Sequence, residues 1–400
     1  MRRIGGRNRR RLAADALRVA VVIGLAWALT GLAGCKSADS EDALSSVVAG
    51  RAAPQGPEIQ TVGSGPFALA MLLPLGSTGM ERNRAADYRD GAALAVKDLG
   101  LKQATLTIYD TKGVPTEVTR LGNLASSGGA KAIIGPTTYG DISALAGMNI
   151  NKSAVILALT ADIPVGKGNV FAMMSDEADS AAAIGAYAIA AGKKELIIFK
   201  PEGFPDSSLV RIKKGVEGDQ GHIIGVIGYP AQGQEVAALV AKNEAAIGKA
   251  DAILLLSGPD TEAVAAALRQ GGFVTERRPL LGTVGWSRSV IADKNTFGAL
   301  LALPDEAGLR QIAKSFTATY GRPPSAQAAY AYDATAIVLG IAKVLGPKAL
   351  TAQTLVSDKG FRGTTGIFRF NKDGSIDRLL SIYVNRDGVL NRIKAAGTSF

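Results

Sequence analysis

The sequence predicts an α/β protein built from two doubly wound lobes joined by a hinge. Short apolar segments alternate with alanine-rich amphipathic segments from Phe67 onward, and the alternation runs through two cycles of about 105 residues. A chain of 400 residues is long enough for two to three domains. Hydrophobic residues make up 47% of the chain and charged residues 20%, so each lobe can bury a core.

Residues 1–34 predict a secretory signal peptide. Seven arginines against one acid, Asp15, place six of the ten net positive charges in this segment. An uncharged run from Val19 to Gly34 follows, which is shorter than the about 20 residues of a membrane-spanning helix. An uncleaved N-terminal anchor is the alternative. Because the basic residues belong to this segment, no later stretch predicts a nucleic-acid-binding face.

Cys35 is the only cysteine of the chain and directly follows Leu32-Ala33-Gly34. This motif resembles the bacterial lipobox, and the resemblance implies that Cys35 is lipidated and becomes the mature N-terminus. The protein would then be anchored in the inner or the outer membrane, facing the periplasm. Residues 35–65 are rich in Ser, Ala, Gly, Pro and acids, and they predict a flexible tether.

The first cycle of alternation, from Phe67 to Phe171, predicts the first lobe. Its apolar segments are short and uninterrupted, as expected of strands that are buried on both faces of a parallel sheet. The predicted strands are Phe67–Leu73, Thr105–Tyr109, Ala132–Ile134 and Ala154–Leu159, with Phe171 closing the cycle. The predicted helices are Tyr88–Leu99, Val114–Ser126 and Asp141–Asn151.

The second cycle repeats the pattern and predicts the second lobe. Its predicted helices are Asp176–Ala191, Ser207–Glu217, Gln234–Ile247 and Thr261–Gln270. Its predicted strands are Glu195–Phe199, His222–Gly228, Ala252–Leu256 and Pro279–Leu281. Open parallel sheets bind ligands outside the carboxyl ends of their strands, so two such lobes predict a cleft there.

Several motifs resemble those of one known family. They are Leu73-Pro74-Leu75, Asp90-Gly91-Ala92, Ile134-Gly135-Pro136, Tyr320-Gly321-Arg322-Pro323-Pro324, Ala331-Tyr332-Asp333-Ala334 and Thr365-Gly366-Ile367-Phe368-Arg369-Phe370. In this order they resemble type I periplasmic solute-binding proteins, the branched-chain amino-acid-binding (leucine-binding) group, over about Phe67 to Gly388. The late motifs look closest to penicillin-binding-protein activators, which are lipoproteins of the same fold.

The resemblance implies two Rossmann-like lobes and a chain that crosses between them three times. The first lobe would comprise residues 66–172 and 286–358, and the second lobe residues 173–285 and 359–400. The implied function is capture of a small amino-acid-like or other carboxylate-bearing solute for an ABC permease, without catalysis, cofactor or metal. The alternative is a regulatory lipoprotein that binds a peptidoglycan synthase.

The loop Gly135 to Tyr139 follows a predicted strand and leads into a helix. Backbone N–H groups at a helix start, with hydroxyls beside them, suit a carboxylate. In the amino-acid binders the matching loop contacts the ligand carboxylate, so the resemblance implies ligand contacts for Thr137, Thr138 and Tyr139. The alternative is that a threonine or Asp141 only caps the helix.

Three further loops supply candidate ligand contacts. Thr160 and Asp162 follow the next strand, although Asp162 can also simply shape a turn. Phe204 lies in a loop of the predicted second lobe, and Trp286 lies in the loop after the last predicted strand of the second cycle; for both, stacking on a ligand competes with packing inside a lobe.

The loop at Val284 departs from the family pattern. Val284 stands where branched-chain amino-acid binders often carry the acid that pairs with the ammonium. Either Asp162 or Asp260 therefore replaces this acid, or the ligand is not an α-amino acid.

The sequence carries no pattern typical of an enzyme. One cysteine and one histidine argue against a disulfide framework, a Cys/His zinc site and a Ser-His or Cys-His hydrolase. Neither a phosphate-binding loop nor a dinucleotide-binding glycine motif occurs. We therefore expect a binding protein.

Overall fold

The computed structural model describes residues 59–148, 154–164, 166–218, 220–230 and 235–400, all of which belong to one compact unit. Its first elements follow the predicted first cycle. The strands are β1 (Ile59–Gly63), β2 (Phe67–Leu73), β3 (Ala104–Asp110), β4 (Ala132–Ile134), β5 (Val155–Ala158) and β6 (Val170–Ala172). The helices are α1 (Gly79–Leu99), α2 (Pro115–Ser127) and α3 (Tyr139–Ala146).

The second cycle continues without a break in the alternation. Its strands are β7 (Glu195–Pro201), β8 (His222–Tyr229), β9 (Ala252–Leu255), β10 (Leu280–Gly282) and β11 (Leu300–Leu303). Its helices are α4 (Glu177–Ala190), α5 (Asp206–Glu217), α6 (Val236–Lys242), α7 (Glu244–Lys249), α8 (Thr261–Gln270) and α9 (Arg288–Ala292).

The remaining elements complete both lobes. The helices are α10 (Leu309–Tyr320), α11 (Ala326–Leu345) and α12 (Ala352–Leu355). The strands are β12 (Phe361–Gly363), β13 (Gly366–Phe370), β14 (Ile376–Arg378), β15 (Ser381–Arg386) and β16 (Val389–Lys394).

The first sheet has six strands in the order β1-β3-β2-β4-β5-β6. Strands β2 to β6 are parallel, whereas β1 pairs antiparallel with β3, Ile59 lying opposite Tyr109. The predicted tether, residues 35–65, therefore ends before Ile59. The strand was missed because it lies at a sheet edge and is partly exposed, so that it has no buried apolar run. The signal peptide, Cys35 and residues 36–58 lie outside the described residues.

The second sheet has seven strands in the order β16-β15-β11-β10-β9-β7-β8. Strand β11 is parallel to β10 and antiparallel to β15. Trp286, Val290 and Leu301 belong to the core of this sheet. The chain thus returns to the first lobe after β11, and not at residue 286 as predicted, because Leu300–Leu303 extends the parallel sheet by one more strand.

A small sheet, β12-β13-β14, packs on the first lobe. Phe370 of β13 is buried with its ring centroid 5.2 Å from that of Phe171, and Phe368 is fully buried in the same core. The prediction that residues from 359 onward join the second lobe is therefore wrong for this segment, and only β15 and β16 do so. Helix α11 is long and apolar enough to cross a membrane, but it contributes Tyr330 and Val338 to the first-lobe core.

Three segments, residues 173–176, 304–308 and 379–380, connect the lobes, and we call them the hinge segments. Arg378 lies directly before the third segment, and its Nη2 donates to the carbonyl of Met173 in the first segment at 2.8 Å. In the second segment, the Asp305 carboxylate accepts from Ser381 Oγ at 3.3 Å and from Arg392 Nη1 at 2.6 Å. Hydrogen bonds therefore link the first and second hinge segments to residues that flank the third, Arg378 and Ser381.

Candidate functional site

The carboxyl ends of the parallel strands in the two sheets lie close together. Strand β6 ends at Ala172 and α4 begins at Glu177, so only four residues separate them. The Glu177 side chain contacts Ser257 and Thr283, which follow β9 and β10 of the second sheet. Open parallel sheets bind ligands at this end, so we identify the space between the two sets of strand ends as the candidate site and call it the cleft.

The start of α3 forms part of the first-lobe side of the cleft. Thr138 is the N-cap residue, and its Oγ1 accepts a hydrogen bond from the Asp141 N–H at 3.3 Å. Thr137 is half-buried, while Thr138 and Tyr139 are exposed. Capping uses only an acceptor site of the Thr138 hydroxyl, whose O–H remains able to donate.

Thr160 and Asp162 lie beside this helix start. Thr160 Oγ1 accepts from the Asp162 N–H at 3.2 Å and so shapes a turn, with the Asp162 carboxylate exposed. The Leu159 N–H donates to the Pro136 carbonyl at 3.0 Å, which joins the two loops. The predicted first-lobe residues therefore lie at the ends of two neighbouring strands.

The cap at Thr138 leads to a stability prediction. Thr138→Ala is expected to lower the free energy of unfolding by about 1 kcal/mol, because the Asp141 N–H loses its side-chain partner. Urea unfolding followed by circular dichroism measures the effect. Thr137→Ala, which removes a hydroxyl outside the cap, is the control, and an equal loss in both variants would contradict the capping role.

Phe204 and Trp286 pack inside the second lobe. Phe204 is half-buried against the core under α4 and α5. Trp286 is only 5% exposed, its Nε1–H donates to the Leu255 carbonyl at 3.0 Å, and its ring lies against Gly282. Both side chains therefore have packing partners in the lobe, which is the alternative that the sequence left open.

Glu177, the first residue of α4, is a cleft residue that sequence reasoning missed. Its Oε1 accepts from the Ser257 N–H and from Thr283 Oγ1, each at 2.5 Å. Burial raises the pKa of the Glu177 carboxyl, while the hydrogen bonds from Thr283 and Ser257 act in the opposite direction. In the sequence, Glu177 follows the capping residue Asp176 and looks like an ordinary first-turn acid.

Asp260 lies close to the same strand ends. Its Oδ2 is buried and has no hydrogen-bond partner among the described residues. Tyr229 lies near it, and its hydroxyl donates to the Leu256 carbonyl at 2.6 Å. Burial raises the pKa of Tyr229 to about 12. Within the described part of the chain, no group of three or more His, Cys, Asp or Glu side chains is placed to hold a metal ion.

The comparisons with known proteins agree with this architecture. Residues 66–384 match the sequence profile described as periplasmic binding protein. The chain belongs to the periplasmic binding protein family. This confirms the family that the sequence motifs indicated, and the family consists of solute-binding proteins rather than enzymes. A search of curated protein sequences gives no match.

Solved structures of ABC transporter proteins have the same fold. A putative branched-chain amino acid ABC transporter protein from Rhodospirillum rubrum is 19% identical, with a TM-score of 0.68 over 82% of this chain and 99% of that one. An ABC transporter substrate-binding protein from Desulfitobacterium hafniense, in complex with Leu, is 17% identical, with a TM-score of 0.62 over 82% and 99%. An R. palustris solute-binding protein in complex with benzoate is 19% identical, with a TM-score of 0.57 over 84% and 98%.

Proposed function

We propose that this periplasmic binding protein is a lipid-anchored receptor that captures a small solute between its lobes and presents it to an ABC-type permease. The cleft carries the proposal, since two sets of parallel strand ends meet there beside three short hinge segments. Family membership supports a periplasmic location and a role in solute binding. A solute that contacts both lobes would favour the closed arrangement over the open one.

The proposed solute carries a carboxylate that binds at the start of α3. The free N–H groups of the helix start and the hydroxyls of Thr137 and Thr138 supply donors, and Thr160 lies on the neighbouring loop. Benzoate and leucine, which are bound in two of the similar structures, both carry a carboxylate.

Ligand screening tests the receptor function directly. Mature protein without the lipid is titrated by calorimetry with amino acids, aromatic acids, short peptides and cell-wall fragments. The double change Thr138→Ala with Asp162→Ala should weaken binding by a hundredfold or more if both side chains contact the solute, since each hydrogen bond to a charged group contributes about 1.5–3 kcal/mol.

Thr351→Ala is the matched control for this experiment. Thr351 also caps a helix, α12, through a hydrogen bond from the Thr354 N–H, but it does not follow a strand of either parallel sheet. A ligand that the double variant holds as tightly as the unchanged protein would exclude the site. If no compound binds and a peptidoglycan synthase co-purifies with the protein, the regulatory lipoprotein would replace the receptor as the proposed function.

The lipid anchor is tested separately. Cys35→Ala is expected to leave the protein unprocessed or released from the membrane, because the thiol that receives the lipid is absent. Cell fractionation and mass spectrometry of the N-terminal peptide measure this outcome. An unmodified Cys35 in protein isolated from the membrane fraction would contradict the anchor.

A further inference from the structure

The Glu177 carboxyl lies beside the loop that follows β10, in which Val284 is apolar. Thr283 and Gly285 stand on either side of Val284; Thr283 donates to the Glu177 carboxyl, and the carboxyl lies next to the position that a Cβ at residue 285 would take. The carboxyl reaches the loop from another part of the chain, more than 100 residues earlier in the sequence. A carboxyl group therefore lies beside Val284 although Val284 itself is apolar.

The surroundings of Glu177 hold its carboxyl in one position. Ser257 and Thr283 donate to the same oxygen, Oε1, from the ends of two neighbouring strands. A Cβ at position 285 would lie 2.9 Å from Oε1, so Gly285 leaves the space that the carboxyl fills. The Val284 N–H donates to Ser180 Oγ at 2.9 Å, which fixes the loop to α4. Such a carboxyl is preorganised before any ligand arrives.

Within the part of the chain that the structure describes, the Glu177 carboxyl has no cationic partner. The neighbouring acids Asp176, which caps α4, and Asp179 both pair with Arg211. Among the described residues, no lysine or arginine forms an ion pair with Glu177, whose hydrogen-bond donors are one backbone amide and one hydroxyl. A half-buried carboxylate with only neutral donors favours a ligand that brings a positive charge.

We propose that Glu177 determines the specificity of the cleft by binding a cationic nitrogen of the solute, which makes the ligand an amino acid or a related zwitterion. This inference rests on the proposed receptor function. The carboxylate of the solute binds at the start of α3 in the first lobe, and its ammonium binds Glu177 in the second lobe. A solute with both groups contacts both lobes at once.

Pairs of related ligands distinguish the contribution of the ammonium to binding from that of the carboxylate. L-Leucine is compared with 4-methylpentanoate, and L-phenylalanine with 3-phenylpropanoate, each acid lacking only the ammonium of its partner. At least one amino acid should bind the unchanged protein ten or more times more tightly than its paired acid, a difference of about 1.4 kcal/mol. Glu177→Gln provides an amide oxygen that can still accept from Ser257 and Thr283, but it removes the negative charge. It should therefore abolish this preference.

A matched control separates loss of charge in the cleft from loss of an acid elsewhere. Asp251 also accepts two backbone N–H bonds, from Lys194 and Glu195, but it lies at the amino end of β9. Asp251→Asn should keep the preference for the amino acid. Thr283→Val, which removes one of the groups that orient Glu177 and retains the charge, should reduce the preference in part.

The outcomes distinguish this inference from the receptor function. If Glu177→Gln retains the preference, or if the paired acids bind the unchanged protein as tightly as the amino acids, the role of Glu177 is excluded and the receptor function stands. If no member of either pair binds the unchanged protein, the zwitterion specificity is excluded, and the broader ligand screen decides the receptor function. Thermal unfolding of each variant confirms that the compared proteins are folded.

Discussion

Asp333→Ala is expected to lower the free energy of unfolding by about 3–5 kcal/mol, because it removes the centre of a buried hydrogen-bond network. Asp333 is 1% exposed in the middle of α11. One carboxylate oxygen accepts from the Thr364 N–H and hydroxyl at 2.7 and 2.9 Å, and the other from the Thr365 N–H and hydroxyl at 2.8 and 2.6 Å. Truncation leaves these buried donors without a partner.

The destabilisation caused by Asp333→Ala should also involve Arg378, whose guanidinium is buried between the rings of Tyr330 and Phe368. Burial lowers the pKa of Arg378, and Asp333 counteracts this effect. Arg378 also donates to the Thr365 carbonyl at 2.9 Å, so both residues hold the same turn. Removing the acid therefore leaves a buried cation with less compensation.

Urea unfolding of the mature protein, followed by circular dichroism, measures the effect of Asp333→Ala. The control is Asp98→Ala on α1, where an exposed carboxylate accepts one hydrogen bond, from the Tyr332 hydroxyl at 3.3 Å. The control should change stability by less than about 1 kcal/mol. A similarly small loss for Asp333→Ala would show that the network contributes little to stability.

Trp286→Ala should destabilise the second lobe by about 3–5 kcal/mol, the range for truncation of a large buried aromatic side chain. The ring fills space that Gly282 leaves open, since a Cβ there would lie 2.7 Å from it. The variant also leaves the Leu255 carbonyl without the indole N–H. Trp286→Phe keeps most of the ring volume, so it should lose less stability.

The same variants decide whether the Trp286 side chain packs in the core of the second lobe or binds the ligand. The chain has two tryptophans, Trp27 and Trp286, and Trp27 lies in the predicted signal peptide. Tryptophan fluorescence of the mature protein would therefore report on Trp286 alone. Circular dichroism is used for the variants, which lack the fluorophore. Unchanged stability of Trp286→Ala together with weaker ligand binding would assign the side chain to the ligand and not to the core.

Strands were predictable wherever burial on both faces leaves an uninterrupted apolar run. The predicted strand Phe67–Leu73 coincides with β2. Helix α1 instead begins at Gly79, nine residues before the predicted start at Tyr88, because its first turns are mostly polar and exposed and have no apolar period. The local hydrophobic pattern of the sequence thus indicates burial. It fails to predict those parts of a helix or strand that are exposed to water.

The candidate site was predictable only where its residues follow a strand directly. Thr138 and Thr160 were predicted in this way, because open parallel sheets bind ligands at the carboxyl ends of their strands. Glu177 was missed because its partners, Ser257 and Thr283, are 80 and 106 residues away in the sequence. No rule of sequence spacing relates residues so far apart. They lie together only because of the order of strands in the second sheet.

The place of β15 in the second sheet determines when that sheet can be completed. Strand β11 lies between β10 and β15, and β15 is synthesised only after the chain has passed through the whole of α10 to β14 in the other lobe. Until residues 381–386 emerge, β11 is an apolar edge that can pair with another chain. Neither lobe is continuous in sequence, so folding must await almost the full chain and then form contacts between distant segments, which is slow. A protein exported in an extended state would therefore need protection of this edge until its last strands have crossed the membrane.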